Sequence, residues 1–303
     1  RSGLGFSRCD VAVVTNIQED HMGLSDINTL KDMARVKGVV AESVKRDGYV
    51  VLNADNEYCA GISKEVSCNV AYFSMNENNP VILEHCKKGG IAAIYENGFI
   101  TIKKGDWKFR VQKVVNVPLT FGGRVSFMIQ NVLAATLATY VYGFATEDIA
   151  TSLETFIPSA AQTPGRMNIF DFKEYKVMID FAHNADGFRG IKEFLSTIES
   201  TSKIGIITGT GDRRDDDIRD MGRISAEMFD HIIISQDKFL RGRQAEEIVK
   251  LLVEGIQQVN PMTSYEYVPK EIEALNHAFS IAKPGSFIVA LSDVIDNAIE
   301  VVH

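Results

Sequence analysis

Three short polar clusters carry the side chains of this chain best suited to chemistry. The first is Thr15-Asn16-Ile17-Gln18-Glu19-Asp20-His21, with carboxylates, an imidazole and amides on one stretch. Such a set suits a metal ion or a phosphate; it also suits a polar loop leading to a helix cap near Ser25 or Asp26. The second is Asp180-Phe181-Ala182-His183-Asn184-Ala185-Asp186-Gly187. A carboxylate followed by a histidine offers a general base or a nucleotide contact, and Asn184 also fits a helix N-cap beside an exposed His183. The third is Thr208-Gly209-Thr210-Gly211-Asp212-Arg213-Arg214-Asp215. Its glycines suit a tight strand-to-helix turn, but Arg214 stands where G-x-G-x-x-G needs its last glycine, so a dinucleotide fingerprint is not met. Arg213 and Arg214 suit a phosphate or carboxylate, or ion pairs with Asp215, Asp216 and Asp217. Asp237, Arg241 and Arg243 add a further charged patch downstream.

Lys37 stands apart because of its spacing. A helix is expected from about Asn28 to Arg46, with an apolar stripe at Leu30, Met33, Val40 and Val44. Lys37 falls inside that stripe, where a lysine must snorkel, pair or be modified. A stripe drawn through Met33, Val36 and Val40 leaves it at the edge instead.

The elements that position these clusters follow from apolar runs. Asp10–Asn16 reads as a buried strand, and with the helix and the strand Tyr49–Asn53 it makes a βαβ unit. Residues 70–118 read as short strands: Ile91–Tyr95, Phe99–Lys103 and Trp107–Val111, with Asn97-Gly98 and Gly105-Asp106 turns, are expected to form antiparallel hairpins. Ser126–Tyr142 is apolar on most sides and should be a buried helix, followed by a short helix over Thr146–Phe156. Pro158–Gly165 breaks the pattern and marks a domain boundary, giving domains 1–160 and 161–303. Beyond it, strands at Lys176–Phe181, Ile204–Thr208, His231–Ser235, Tyr265–Val268 and Phe287–Leu291 alternate with amphipathic helices, an α/β doubly wound pattern. In such sheets ligands sit at the carboxyl ends of the strands, where each cluster falls.

Composition sets the outer bounds. With 303 residues, 45% of them hydrophobic, the chain fits two domains with real cores. A net charge of −8 argues against nucleic-acid binding and fits a soluble protein or a cationic substrate. The four cysteines form no C-x-x-C pair and fit a reducing cytoplasm. No signal peptide is evident, and the most apolar stretch, Phe127–Tyr142, is too short and polar to span a membrane.

Taken in order, the clusters resemble the Mur ligase family, to which folylpolyglutamate synthases and cyanophycin synthetases are related. Thr15-Asn16-Ile17 with Asp20-His21 is similar to that family's T-N-I-x-x-D-H motif. Lys37 falls where members carry a lysine, often carbamylated, that supports Mg²⁺. Val51-Leu52-Asn53-Ala54-Asp55 is similar to V-x-N-A-D, Pro164-Gly165-Arg166 to P-G-R, and Asp180-Phe181-Ala182-His183-Asn184 to D-Y-A-H-N. Gln130-Asn131 opens the buried helix where a family asparagine contacts adenine. Gly3-Leu4-Gly5-Phe6, Gly211-Asp212-Arg213-Arg214-Asp215 and Asp237 with Arg241-Gly242-Arg243 resemble the cyanophycin synthetase branch more than the cell-wall ligases.

The resemblance implies a truncated central ATPase domain, a parallel sheet with hairpins, followed by a Rossmann-like C-terminal domain. It implies an ATP- and Mg²⁺-dependent ligase that activates a carboxylate as an acyl phosphate for attack by an amine. In that branch the amine is arginine and the carboxylate belongs to an aspartate-based polymer. The implied roles are metal support for His21 and Lys37, nucleotide contact for Asn131, Arg166 and Asp180, catalysis for Lys37, His21, Asp180 and His183, and substrate contact for Asn184, Arg213, Asp237, Arg241 and Arg243. A homo-oligomer is implied as well. The family's glycine-rich phosphate loop, a magnesium-binding glutamate and an ATP-grasp half are expected upstream of Arg1, so this segment alone is expected to be inactive. Ala185 replaces the proline common after H-N. A non-catalytic module that holds polymer or partner subunits is the competing reading.

Overall fold

A computed structural model describes residues 4–19, 22–23, 27–238, 240–292 and 294–302. The chain divides into two compact units between Ile157 and Pro158.

The first unit holds β1 (Cys9–Val14), α1 (Leu30–Glu42), β2 (Val44–Asn53), α2 (Glu57–Gly61), β3 (Asn69–Ser74), α3 (Pro80–Lys87), β4 (Ile91–Glu96), β5 (Phe99–Lys104), β6 (Trp107–Lys113), α4 (Ser126–Tyr142) and α5 (Thr146–Thr155). Its sheet runs in order β1-β2-β3-β4-β5-β6. The first four strands are parallel, and β5 and β6 are antiparallel additions. The β4–β5 turn uses Asn97 and Gly98, both at positive φ, as a tight hairpin requires. On one face α4 buries Ile129, Val132, Leu133 and Leu137 against Val51, Phe73, Ile100 and Ile102. Each such side chain contributes roughly 1.5–3 kcal/mol of transfer free energy.

Helix α1 is shorter than its apolar spacing suggests. It begins with a Thr29–Asp32 capping box and closes at Ser43, whose hydroxyl donates to the Val40 carbonyl at 2.7 Å. Val44 then pairs with Cys9 in the sheet. Val44–Arg46 is therefore strand rather than helix, because β1 offers an open edge that the chain meets one residue after the cap. Helices α2 and α3 and strand β3 add elements that the hairpin reading of residues 70–118 does not contain. Each of these two helices starts at an asparagine cap, Asn56 and Asn79.

The second unit holds β7 (Asn168–Asp171), β8 (Tyr175–Asp180), α6 (Ala185–Ser196), β9 (Lys203–Ile207), α7 (Asp215–Met228), β10 (His231–Ile234), α8 (Ala245–Val259), β11 (Ser264–Tyr267), α9 (Glu271–Ile281), β12 (Ser286–Leu291) and α10 (Ile295–Val302). The order is β11-β10-β9-β12-β8-β7. All neighbours are parallel except β7, which runs against β8. The register aligns Leu291 with Asp180, Ala290 with Ile206 and Ile234 with Ile207. Asp180, Thr208-Gly209 and Ser235-Gln236 therefore emerge at one sheet edge. Among the described residues no helix is long and apolar enough to cross a membrane.

Candidate functional site

In the first unit the polar loop leaving β1 is held by three side chains on three elements. Asn53, at the end of β2, donates to the Thr15 carbonyl at 2.8 Å. Asn56, the α2 cap, donates to the Ile17 carbonyl at 2.8 Å. Lys37 reaches from α1 to the Asn16 carbonyl at 3.4 Å. Three successive carbonyls are thus fixed, which holds the backbone of residues 15–17 in one conformation. The half-buried Lys37 stem and its loop-facing head agree with a snorkelling lysine on the inner side of α1. Asp20 and His21 lie outside the described residues.

Two neighbours of this loop have settled roles. Asp55 accepts from Ser74 Oγ at 2.5 Å, Asn79 Nδ2 at 2.9 Å and Met75 N at 2.6 Å. Its carboxylate therefore ties β2 to the turn before α3. Burial pushes the Cys59 thiol up to about 12, with Lys37 pulling weakly the other way, so Cys59 is a neutral core group. Asn131 is exposed on α4 and lines a cavity of about 490 Å³ bounded by Val117, Leu119, Phe144, Ile149 and Phe156. Its walls are mostly apolar, with Asn131, Asp148 and Ser152 among the polar groups that line it, a mix that suits a flat heteroaromatic ring.

In the second unit Asp180 is buried at the end of β8. Its Oδ2 accepts from Met167 N at 2.9 Å and its Oδ1 from Ala182 N at 2.8 Å. Desolvation raises its carboxyl above the ordinary range, opposed by those two backbone donors and by Arg166 and His183. Asp180 thereby joins the segment around Arg166 to the segment around His183. Asn168 completes the join, accepting from Gly165 N at 2.7 Å and donating to the Thr163 carbonyl at 3.0 Å.

The exposed Arg166 lies over the Phe181 ring at 5.4 Å. His183 lies edge-on to the same ring at 4.8 Å and bonds the Phe181 carbonyl through Nδ1 at 2.9 Å. Because a carbonyl only accepts, Nδ1 carries the hydrogen and the neutral ring has its lone pair on Nε2. Asn184 is the α6 cap, accepting from Gly187 N at 2.8 Å, so its side chain is engaged in local structure.

The arginine cluster is internally paired. Arg213 is buried and lies 3.7 Å from Asp212. Arg241 bonds Asp212. Arg243 meets Asp215 at 2.7 Å, Glu247 at 2.8 Å and the Arg213 carbonyl at 3.0 Å. Arg214 pairs with Asp217 at 2.7 Å. Asp237, in the loop after β10, is buried. Gly211 lets this loop press against its neighbour, since a Cβ there would lie 1.9 Å from the Leu240 carbonyl oxygen. The sequence motifs name Lys37, Asn131, Arg166, Asp180 and His183, whereas Asn56, the α2 cap, and Asn168, the first residue of β7, belong to no motif.

Comparison with known proteins bears directly on this arrangement. The family described as "Mur ligase middle domain" matches residues 2–139, and "Mur ligase, glutamate ligase domain" matches residues 165–293. The chain belongs to the Mur ligase family. A cyanophycin synthetase of Geminocystis herdmanii is 44% identical over 303 residues, covering 100% of this chain and 35% of that protein. A UDP-N-acetylmuramoyl-L-alanyl-D-glutamate--2,6-diaminopimelate ligase of Bacillus cereus is 26% identical, covering 92% of this chain and 54% of that protein. The solved structure of E. coli FolC with DHPP and ADP has TM-score 0.68 at 17% identity, over 97% of this chain and 61% of that one. This Mur ligase chain thus spans about a third of the length of the cyanophycin synthetases it matches.

Proposed function

We propose that this chain forms part of an ATP-dependent ligase that joins a carboxylate to an amine, with arginine as the amine and an aspartate side chain of a polymer as the carboxylate. The observation that carries this reading is 44% identity along the whole chain to a cyanophycin synthetase. ATP supplies the phosphoryl group that makes the carboxylate an electrophile, and Mg²⁺ neutralises phosphate charge. The residues present fit both. The cavity beside Asn131 suits adenine, and Lys37, in carbamylated form, would offer an oxygen of the kind Mg²⁺ prefers.

In this reading Arg166 stands over Phe181 to meet phosphate oxygens. His183 keeps Nε2 as the nitrogen that takes a proton and, once protonated, donates to a phosphoryl oxygen. Asp180 acts by position, since both its oxygens already hold backbone donors. Arg213, Arg241, Arg243 and Asp237 form the candidate surface for arginine or polymer, and Asn184 shapes the turn beside it. His21 is assigned to metal support by its motif alone. Homo-oligomeric assembly belongs to the same proposal.

The test uses the full-length protein with ATP, Mg²⁺, arginine and an aspartate-polymer primer, measuring arginine and aspartate incorporation separately. Lys37→Ala is expected to lower arginine addition by about 10–100-fold while aspartate addition stays within a fewfold. Arginine addition that survives the substitution removes Lys37 from the metal role. Incorporation of another amine in place of arginine overturns the substrate assignment.

A further inference from the structure

The edge of the second unit opposite the polar strand ends carries a separate cluster. His231 is the first residue of β10, Glu266 lies on the edge strand β11, and His277 lies on α9. One ligand atom of each lies within 4.8 Å of the others. The register pairs His231 with Ser264 and Ile233 with Glu266, so alternation places His231, Ser264 and Glu266 on the sheet face that α9 covers. Helix α9 is anchored there by Ala274, Leu275 and Ala278, which share a core with Ile233.

The hydrogen bonding of the cluster is unusual. His231 Nδ1 lies 2.8 Å from Ser264 Oγ, which orients the ring. Its Nε2 is buried and makes no hydrogen bond among the described residues, yet it lies 3.1 Å from Glu266 Oε1. His277 Nε2 lies 2.9 Å from Glu266 Oε2. Two imidazole nitrogens therefore converge on one carboxylate. The Ser264 hydroxyl can donate to or accept from Nδ1, so Nε2 of His231 either gives a hydrogen to Glu266 or turns a lone pair toward it; in the second tautomer both groups offer lone pairs to a cation placed between them.

We propose that His231, Glu266 and His277 bind a single transition-metal ion of the zinc class, with water completing the coordination. Two imidazoles and one carboxylate form a donor set suited to zinc and poorly suited to Mg²⁺ or Ca²⁺. Tetrahedral zinc with bonds of about 2.1 Å separates its ligand atoms by roughly 3.4 Å, so atoms now within 4.8 Å of one another close by up to about 1.4 Å, through rotation of the partly exposed Glu266 and His277 side chains. Ser264 on the far nitrogen of His231 fixes ring orientation, as metal-bound histidines require. Glu266 and His277 are partly exposed, which leaves an entry path. The ion would clasp α9 to the edge strand β11, so its effect is on the stability of this unit and of its sheet edge.

The experiment uses the tag-free protein stripped of metal with a chelator, titrated with Zn²⁺ by calorimetry and with Co²⁺ by visible absorption. One ion per chain is expected, with a melting temperature raised by about 5 °C or more near a hundredfold excess over Kd, and no response to Mg²⁺. His277→Gln and Glu266→Gln, both at partly exposed positions, are expected to weaken Zn²⁺ binding at least ~10-fold and to melt within a few degrees of the parent without metal. Absence of stoichiometric Zn²⁺ binding overturns the proposal and leaves the cluster as two histidines beside Glu266 that only join the edge strand to α9. So does unchanged Zn²⁺ affinity in both variants, which would place the ion at the cysteines or elsewhere.

Discussion

Replacing Gly211 with alanine tests whether the arginine loop is fixed by close backbone approach. The Cβ would sit 1.9 Å from the Leu240 carbonyl oxygen and 2.7 Å from its carbon. Ordinary C···O contacts begin near 3.3 Å, so the two segments must part by about 1.4 Å. Backbone stands on both sides, and no side chain can rotate away. Overpacking of this kind costs about 1–3 kcal/mol. A shift of that size would also stretch the 3.0 Å bond from Arg243 to the Arg213 carbonyl beyond hydrogen-bond range. These partly exposed contacts add about 0.5–1 kcal/mol. A loss of about 1.5–4 kcal/mol in a unit of this size lowers its melting temperature by about 4–12 °C. The assay is thermal unfolding by circular dichroism, with Gly61→Ala as control, because nothing lies within 4 Å of that Cβ and the site is helical. A Gly211→Ala melting temperature within about 1 °C of the parent refutes the reasoning.

Two further expectations rest on buried titratable groups. Burial raises the Asp180 carboxyl above 3.8, so the folded state keeps this proton to higher pH than the unfolded chain. Its contribution is full below pH 3.8 and is lost as pH rises through the folded value; urea unfolding from about pH 4 to 7 should show a downward slope that Asp180→Asn reduces, and an identical slope in both proteins refutes the shift. Cys59, with its thiol pushed up to about 12, is expected to resist alkylation of the native protein at about pH 8 while the partly exposed Cys9 reacts; mass mapping that finds Cys59 labelled first contradicts its burial.

How much of this was legible in sequence depends on the range of the interactions. The parallel strands of the second unit are short and bounded by turn residues, and all but the exposed edge strand β11 are apolar, so their edges fall within a residue or so of expectation. The buried helix Ser126–Tyr142 is found at its expected ends because Gly143, at φ 109, stops it. The exit from α1 was not legible, since Val44 continues the helical stripe and only the open edge of β1 recruits it into the sheet. Strand β7 was missed for a related reason: four residues of mixed polarity become a strand through pairing with β8. Helix α3 was masked by hairpin-like surroundings, although Asn79-Pro80 is a good cap and first turn.

The candidate site divides along the same line, between residue type and residue use. Asp55 and Asp180 look catalytic by type, yet each spends its oxygens on local donors and fixes the course of the backbone. Asn53, Asn56 and Asn168 do the same through amides. The groups left at the rims are Lys37, Asn131, Arg166 and His183, and Asp180 holds together the segments that carry the last two. Asp180, buried and accepting one backbone N–H on each oxygen, sets the geometry of the groups around it. Substitutions at Asp55 or Asp180 should therefore show themselves first in stability, and substitutions at Arg166 or His183 first in turnover of the full-length protein. That separation follows from where the hydrogen bonds go, and a motif read as letters cannot supply it.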